Sequence, residues 1–262
     1  MKNLKIFLSV ALVAVMLGSL LTCFAADESK AVSVNVYDGK NVVVTMEKVA
    51  YKDEDSDGKW TINDVLISIH NSKCKDGFVT ENGDYGLFIK KLWNIENGGS
   101  YGYMLNNNMA YSLTDEVKDG DVVYAYVYAD AAGYSDAYSF FDVNSFADKG
   151  GEEVTLTLKY VSGYDAETYA PIFVALEGAT VTVDGKATEV KTDANGTAKI
   201  TLPKKSAVIS AAKDGVLIIP PVCVSTVSGG ANLLWLWIVL AVIAVAVICF
   251  VIFKLSGKKN NK

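Results

Sequence analysis

Short alternating apolar runs, closed by aspartate-glycine or asparagine-glycine pairs, recur from residue 31 to residue 215. That pattern constrains the fold more than any other feature, because such pairs reach the positive φ angles that tight hairpin turns require. Residues 31–37 alternate as a half-buried strand, Asp38-Gly39 makes the turn, and residues 42–49 return. A helix is expected over residues 62–70, where Ile62, Val65, Leu66 and Ile69 recur at three-to-four spacing and share one face. Strand, strand, helix is how an α+β domain begins. Strands follow at 87–93, 101–105 and 122–128, the last with Tyr124, Tyr126 and Tyr128 on one face. Residues 147–151 read as a linker. Beyond them come runs at 154–158, 172–176, 179–183, 198–202 and 207–211. Turn pairs at Asp184-Gly185, Asn195-Gly196 and Asp214-Gly215 separate several of these, as in a β-sandwich that Pro220-Pro221 closes.

The two ends are of another kind. Two lysines, an apolar run from Ile6 to Leu21 and small residues at Cys23 and Ala25 form a secretory signal, residues 1–25, cut after Ala25. The alternative is a lipoprotein signal acylated at Cys23. Residues 233–253 carry no charge and are long enough for one transmembrane helix. Lysines in the tail, 254–262, put that tail in the cytoplasm and residues 26–232 outside the cell. The expected order is a signal, an α+β domain over 26–145, an all-β sandwich over 146–226, a stalk over 227–232, a membrane span and a short tail.

All 30 acidic residues fall in segment 26–232 with 18 lysines, so that segment carries a net charge of −12; the chain has no arginine. Such a field repels phosphate backbones, and bidentate guanidinium contacts are impossible, which excludes nucleic acid as a partner. Of the four cysteines, only Cys74 and Cys223 lie in the extracellular segment. They are either a disulfide pair joining the two domains or two separate buried thiols.

The densest chemistry is the stretch Asp53-Glu54-Asp55-Ser56-Asp57-Gly58-Lys59-Trp60-Thr61-Ile62-Asn63-Asp64. Oxygen-bearing side chains at positions 1, 3, 5, 9 and 12, with glycine at 6, have the spacing of a calcium loop. Asp53, Asp55 and Asp57 would supply carboxylates and Lys59 its carbonyl. Thr61 would bind directly or through water, and Asp64 would supply the last carboxylate. With Asp64 in place of glutamate the loop resembles a dockerin repeat more than a sensor EF-hand. The expected ion is structural Ca²⁺. His70 is the only histidine, and neither a glycine-rich phosphate loop nor a nucleophile elbow is present, so the chain does not read as an enzyme.

Tyr85-Gly86-Leu87, Leu92-Trp93, Gly102-Tyr103-Met104-Leu105-Asn106 and Lys118-Asp119-Gly120-Asp121 together resemble the transcobalamin C-terminal-like domain of bacterial surface proteins. The resemblance spans about residues 31–140 and implies a β-grasp-like α+β domain in which an aromatic surface covers a ligand. Trp93, Tyr101, Tyr103, Asn106 and Tyr111 are the candidate ligand-binding residues. Residues 178–203 resemble the immunoglobulin- or prealbumin-like sandwich modules of bacterial surface proteins. The function this implies is a membrane-anchored, calcium-stabilised, non-catalytic module that binds a protein, a glycan or a small molecule. A cobalamin or corrinoid receptor and a dockerin-like docking module are the alternatives.

Overall fold

The structure, a computed structural model, describes residues 30–168, 170–227 and 239. The expected signal, the stalk beyond Val227, the span apart from Val239, and the tail lie outside the described residues. Among the described residues no helix is long and apolar enough to cross a membrane. The chain divides into two compact units. The described part of the first comprises residues 30–138, 161–168, 170–173 and 216–219, and that of the second 139–160, 174–215, 220–227 and 239.

In the first unit, β1 (Ala31–Tyr37) pairs antiparallel with β2 (Val42–Ala50), and the helix α1 (Ile62–Lys73) follows. A two-stranded hairpin, β3 (Val79–Gly83) and β4 (Gly86–Lys91), precedes β5 (Tyr101–Leu105), β6 (Asn108–Met109) and β7 (Val122–Val127). The main sheet runs β2-β1-β7-β5-β6, with β1 and β7 parallel at its centre. One face presents Val32, Val34 and Val36 from β1 and Val123, Ala125 and Val127 from β7. Against it α1 buries Ile62, Val65, Leu66 and Ile69, each at most 1% exposed and each worth about 1.5–3 kcal/mol in transfer free energy.

The helix begins where the sequence can satisfy its free amides. Thr61 is the N-cap of a capping box with Asp64, and Ile62 N and Asn63 N donate to Asp115 O and Leu113 O at 3.1 and 2.8 Å. It ends at Cys74, just before Gly77, where a Cβ would stand 2.5 Å from the Cys74 sulfur.

The remaining strands are β8 (Ala137–Phe141), β9 (Ser145–Asp148), β10 (Glu153–Tyr164), β11 (Pro171–Ala175), β12 (Thr180–Val183), β13 (Lys186–Lys191), β14 (Thr197–Thr201), β15 (Ala207–Ala212), β16 (Ile218–Ile219) and β17 (Cys223–Val227). The second unit holds the sheet β13-β12-β15-β17-β9 and the antiparallel pairing of β10 with β14. Buried Val181, Ile209, Ala211 and Leu156 alternate with more exposed neighbours along these strands.

Several expectations are corrected. The described structure is mostly β, with strand at 49% against one short helix and several separate sheets, so the α+β β-grasp-like class does not hold. α1 covers one face of the first unit's main sheet, and every other element from β1 to β17 is a strand. Residues within the expected linker are instead in β9, parallel to β17, where Asp148 accepts a 2.7 Å hydrogen bond from Ser225 Oγ. The Cys74–Cys223 bridge is not formed. Both are free thiols, Cys74 at the end of α1 in the first unit and Cys223 fully buried in β17 of the second.

Candidate functional site

Residues 53–58 curl tightly because Ser56 and Gly58 take φ of 62° and 84°. Asp53 holds the turn from inside, its two oxygens accepting from Asp57 N at 3.2 Å and Gly58 N at 2.9 Å, while Asp57 Oδ1 accepts from Lys59 N at 2.8 Å. The result brings one carboxylate oxygen from each of Asp53, Asp55 and Asp57 within 4.8 Å of the others. No salt bridge reaches this triad among the described residues. Lys52 pairs with Glu54 at 2.6 Å, and Lys59 lies 3.6 Å from Glu116. Glu54 is turned aside, accepting from Ser68 Oγ and Lys52 Nζ; burial alone would raise its pKa, but these two bonds hold it below the usual glutamate value.

Thr61 and Asp64, expected as ligands, are drawn into the helix cap. Asp64 is fully buried, its Oδ2 accepting from Thr61 N at 2.9 Å and Thr61 Oγ1 at 2.7 Å and its Oδ1 from Glu54 N at 2.8 Å. Three of the six expected ligands therefore form the cluster, and two serve the cap. Lys59 contributes its backbone to the same loop. Asn63, which the spacing rule passed over, adds a separate observation. Its side chain is 4% exposed, Nδ2 lies 3.3 Å from Asp55 Oδ2, and Oδ1 has no hydrogen-bond partner among the described residues. A buried amide oxygen without a donor is costly. The donor set is all oxygen, which suits a hard divalent ion.

The aromatic ligand surface does not assemble. Trp93 sits in a tight turn at φ 53° and packs edge-on against His70, with ring centroids 5.1 Å apart. Tyr101 Oη donates between the carbonyls of Lys90 and Ile95 at 2.8 Å each, and Tyr103 bonds the Leu113 backbone; both pack on the core beneath α1. Asn106 makes the β5–β6 turn with Asn107, at φ 52° and 63°, and its side chain bonds Asp121 Oδ1 and Val122 N. Tyr111 alone is fully in solvent, at 93% exposed. The tyrosines that do gather are on the opposite face of the sheet, where Tyr124 and Tyr126 are buried against Tyr138 at 5.7 and 6.1 Å. Burial lifts all three phenols above their usual range, so they stay neutral.

His70 is structural as well. Its Nδ1 donates to Leu66 O at 2.6 Å, and its Nε2 accepts from Trp93 N at 3.3 Å. Because the Trp93 amide can only donate, the proton is assigned to Nδ1.

Comparison with known proteins returns no matching family model, no matching curated protein and no matching solved structure.

Proposed function

We propose that the chain is an extracellular, non-catalytic binding and display module, held at a membrane by its apolar C-terminal segment and stabilised by a structural calcium ion in loop 53–64. The observation that carries the reading is the Asp53, Asp55, Asp57 triad, which no salt bridge reaches among the described residues. The three carboxylates and the Lys59 carbonyl supply oxygen ligands of the hard kind calcium takes, while Asp64 holds the helix cap behind them. Bound there, the ion relieves repulsion among the carboxylates and fixes the entry of α1. The engagement of both nitrogens of the single histidine supports a non-catalytic role.

Melting the full chain in detergent, with calcium and with chelator, tests the ion. At calcium a hundredfold above Kd, the melting temperature rises by roughly 5–10 °C. The rise disappears in the double variant Asp55→Asn, Asp57→Asn. Equal melting temperatures in calcium and chelator reject the site.

A further inference from the structure

We infer that the cleft beside the acidic loop binds a small ligand through a carboxylate group. The cleft has a volume of about 490 Å³ and is lined by Lys30, Tyr51, Lys59, Trp60 and Lys118, with Gly58 leaving its part of the wall open. That volume lies within the range of small-ligand sites. Its walls are tied by backbone hydrogen bonds, Tyr51 N to Lys30 O at 2.9 Å, Val117 N to Trp60 O at 2.8 Å and Gly120 N to Ala31 O at 2.9 Å. The cleft is therefore formed before any ligand arrives.

Two features ask for an acceptor. Trp60 is 6% exposed and its indole Nε1–H is buried with no partner among the described residues. A native protein seldom leaves such a donor unsatisfied. Lys30 and Lys118 enter no salt bridge among the described residues, although segment 26–232 is rich in carboxylates.

The lining acids are already committed, Glu116 toward Lys59 at 3.6 Å and Asp119 to Ala31 N at 2.8 Å. Three lysines against these two acids leave an excess of one positive charge, which suits a monoanion; a phosphate dianion would meet Glu116 and Asp119 unfavourably. Carboxylate oxygens only accept, matching the two ammonium groups. Tyr51, 53% exposed and held edge-on to Trp60 at 5.2 Å, offers an aromatic face to whatever carries the carboxylate.

The inference supplies a ligand class to the binding-module reading. Because Gly58, Lys59 and Trp60 belong to loop 53–64, the titration is run both with calcium and with chelator, apart from the melting experiment. The full ¹⁵N-labelled chain in detergent is followed at the indole N–H of Trp60, identified by its loss in Trp60→Phe. Glucuronate or butyrate, both monoanions, produces a saturable shift below about 10 mM. Glucose does not, and inorganic phosphate shifts it less. Lys30→Gln with Lys118→Gln, both exposed and remote from the core, keeps the native circular dichroism and weakens binding about tenfold. A tighter response to glucuronate assigns the source to an acidic sugar, and a tighter response to butyrate to an aliphatic acid. No saturable shift with either acid, an equal response to glucose or phosphate, or unchanged affinity in the lysine variant overturns the inference.

Discussion

His70 shows how one residue can couple stability to pH. It is 2% exposed, stacked on Phe78 at 4.9 Å, and both nitrogens are committed with the ring neutral. Burial pushes its pKa down to about 4, outweighing the Leu66 hydrogen bond, which acts upward. A protonated Nε2 would also face the Trp93 amide donor to donor. In the unfolded chain the ring titrates near 6.5, so between the two values the unfolded state binds the extra proton. Stability from this group is thus full above about pH 6.5 and falls as pH drops toward 4, by about 3 kcal/mol in all. Urea unfolding at pH 7.5 and pH 4.5 checks this, with wild type losing about that much more than His70→Gln between the two; equal losses refute it. Asp64 contributes to stability through its hydrogen bonds. Asp64→Ala leaves the buried Thr61 hydroxyl and the Thr61 and Glu54 amides without their acceptor. The expected cost in chelator is about 3 kcal/mol by denaturant unfolding, well above the effect of an ordinary surface substitution.

At the scale of the element, β5 and β7 are matched by what Gly102 lacks. Gly102 lies opposite Tyr126, and a Cβ there would stand 2.2 Å from the tyrosine ring. Gly102→Ala therefore forces the ring out of its place between Tyr124 and Tyr138. It costs about 2–3 kcal/mol, and a double cycle with Tyr126→Leu recovers part of that. Purely additive unfolding energies would show that the ring moves freely. The same strands show what the sequence makes legible. The bounds of β1 and β5 follow from alternation and flanking turn residues, and the start of α1 follows from Thr61 and its apolar stripe. The acid triad was legible because its spacing lies within a single turn. The roles of Trp93, Tyr101 and Tyr103 were not, since an aromatic residue's side of the sheet depends on register with a strand far off in sequence. β9, β16 and β17 were missed for a related reason: short parallel partners draw their definition from distant strands, Ser145 from Val224 and Ile218 from Ala137. Trp60 is legible as the loop's apolar anchor, but the orphaned atoms of Asn63 and Trp60 are not, because an unsatisfied polar atom exists only once everything around it is placed.

For the whole molecule, an extracellular reading would permit a disulfide, yet both thiols are free, one in each unit. Cys74 is half-buried at the end of α1, where its sulfur accepts from Asn94 Nδ2 at 3.0 Å, and burial raises its pKa. Cys223 has no exposure, and burial, reinforced by Asp142, pushes its thiol up to about 12. A thiolate is the reactive species, so Cys223 is protected twice, by its low ionisation and by its lack of access. It reacts only when the second unit opens, which makes its alkylation a readout of that unit's unfolding, while Trp60 fluorescence reports on the first. Alkylating the native full chain at pH 8 and mapping the modified peptides should label Cys74 at least roughly 100-fold faster than Cys223. The Cys223 rate should then climb through the urea transition. Native labelling of Cys223 as fast as Cys74, or a peptide pair linked through the two sulfurs, would show that this arrangement of the thiols is wrong.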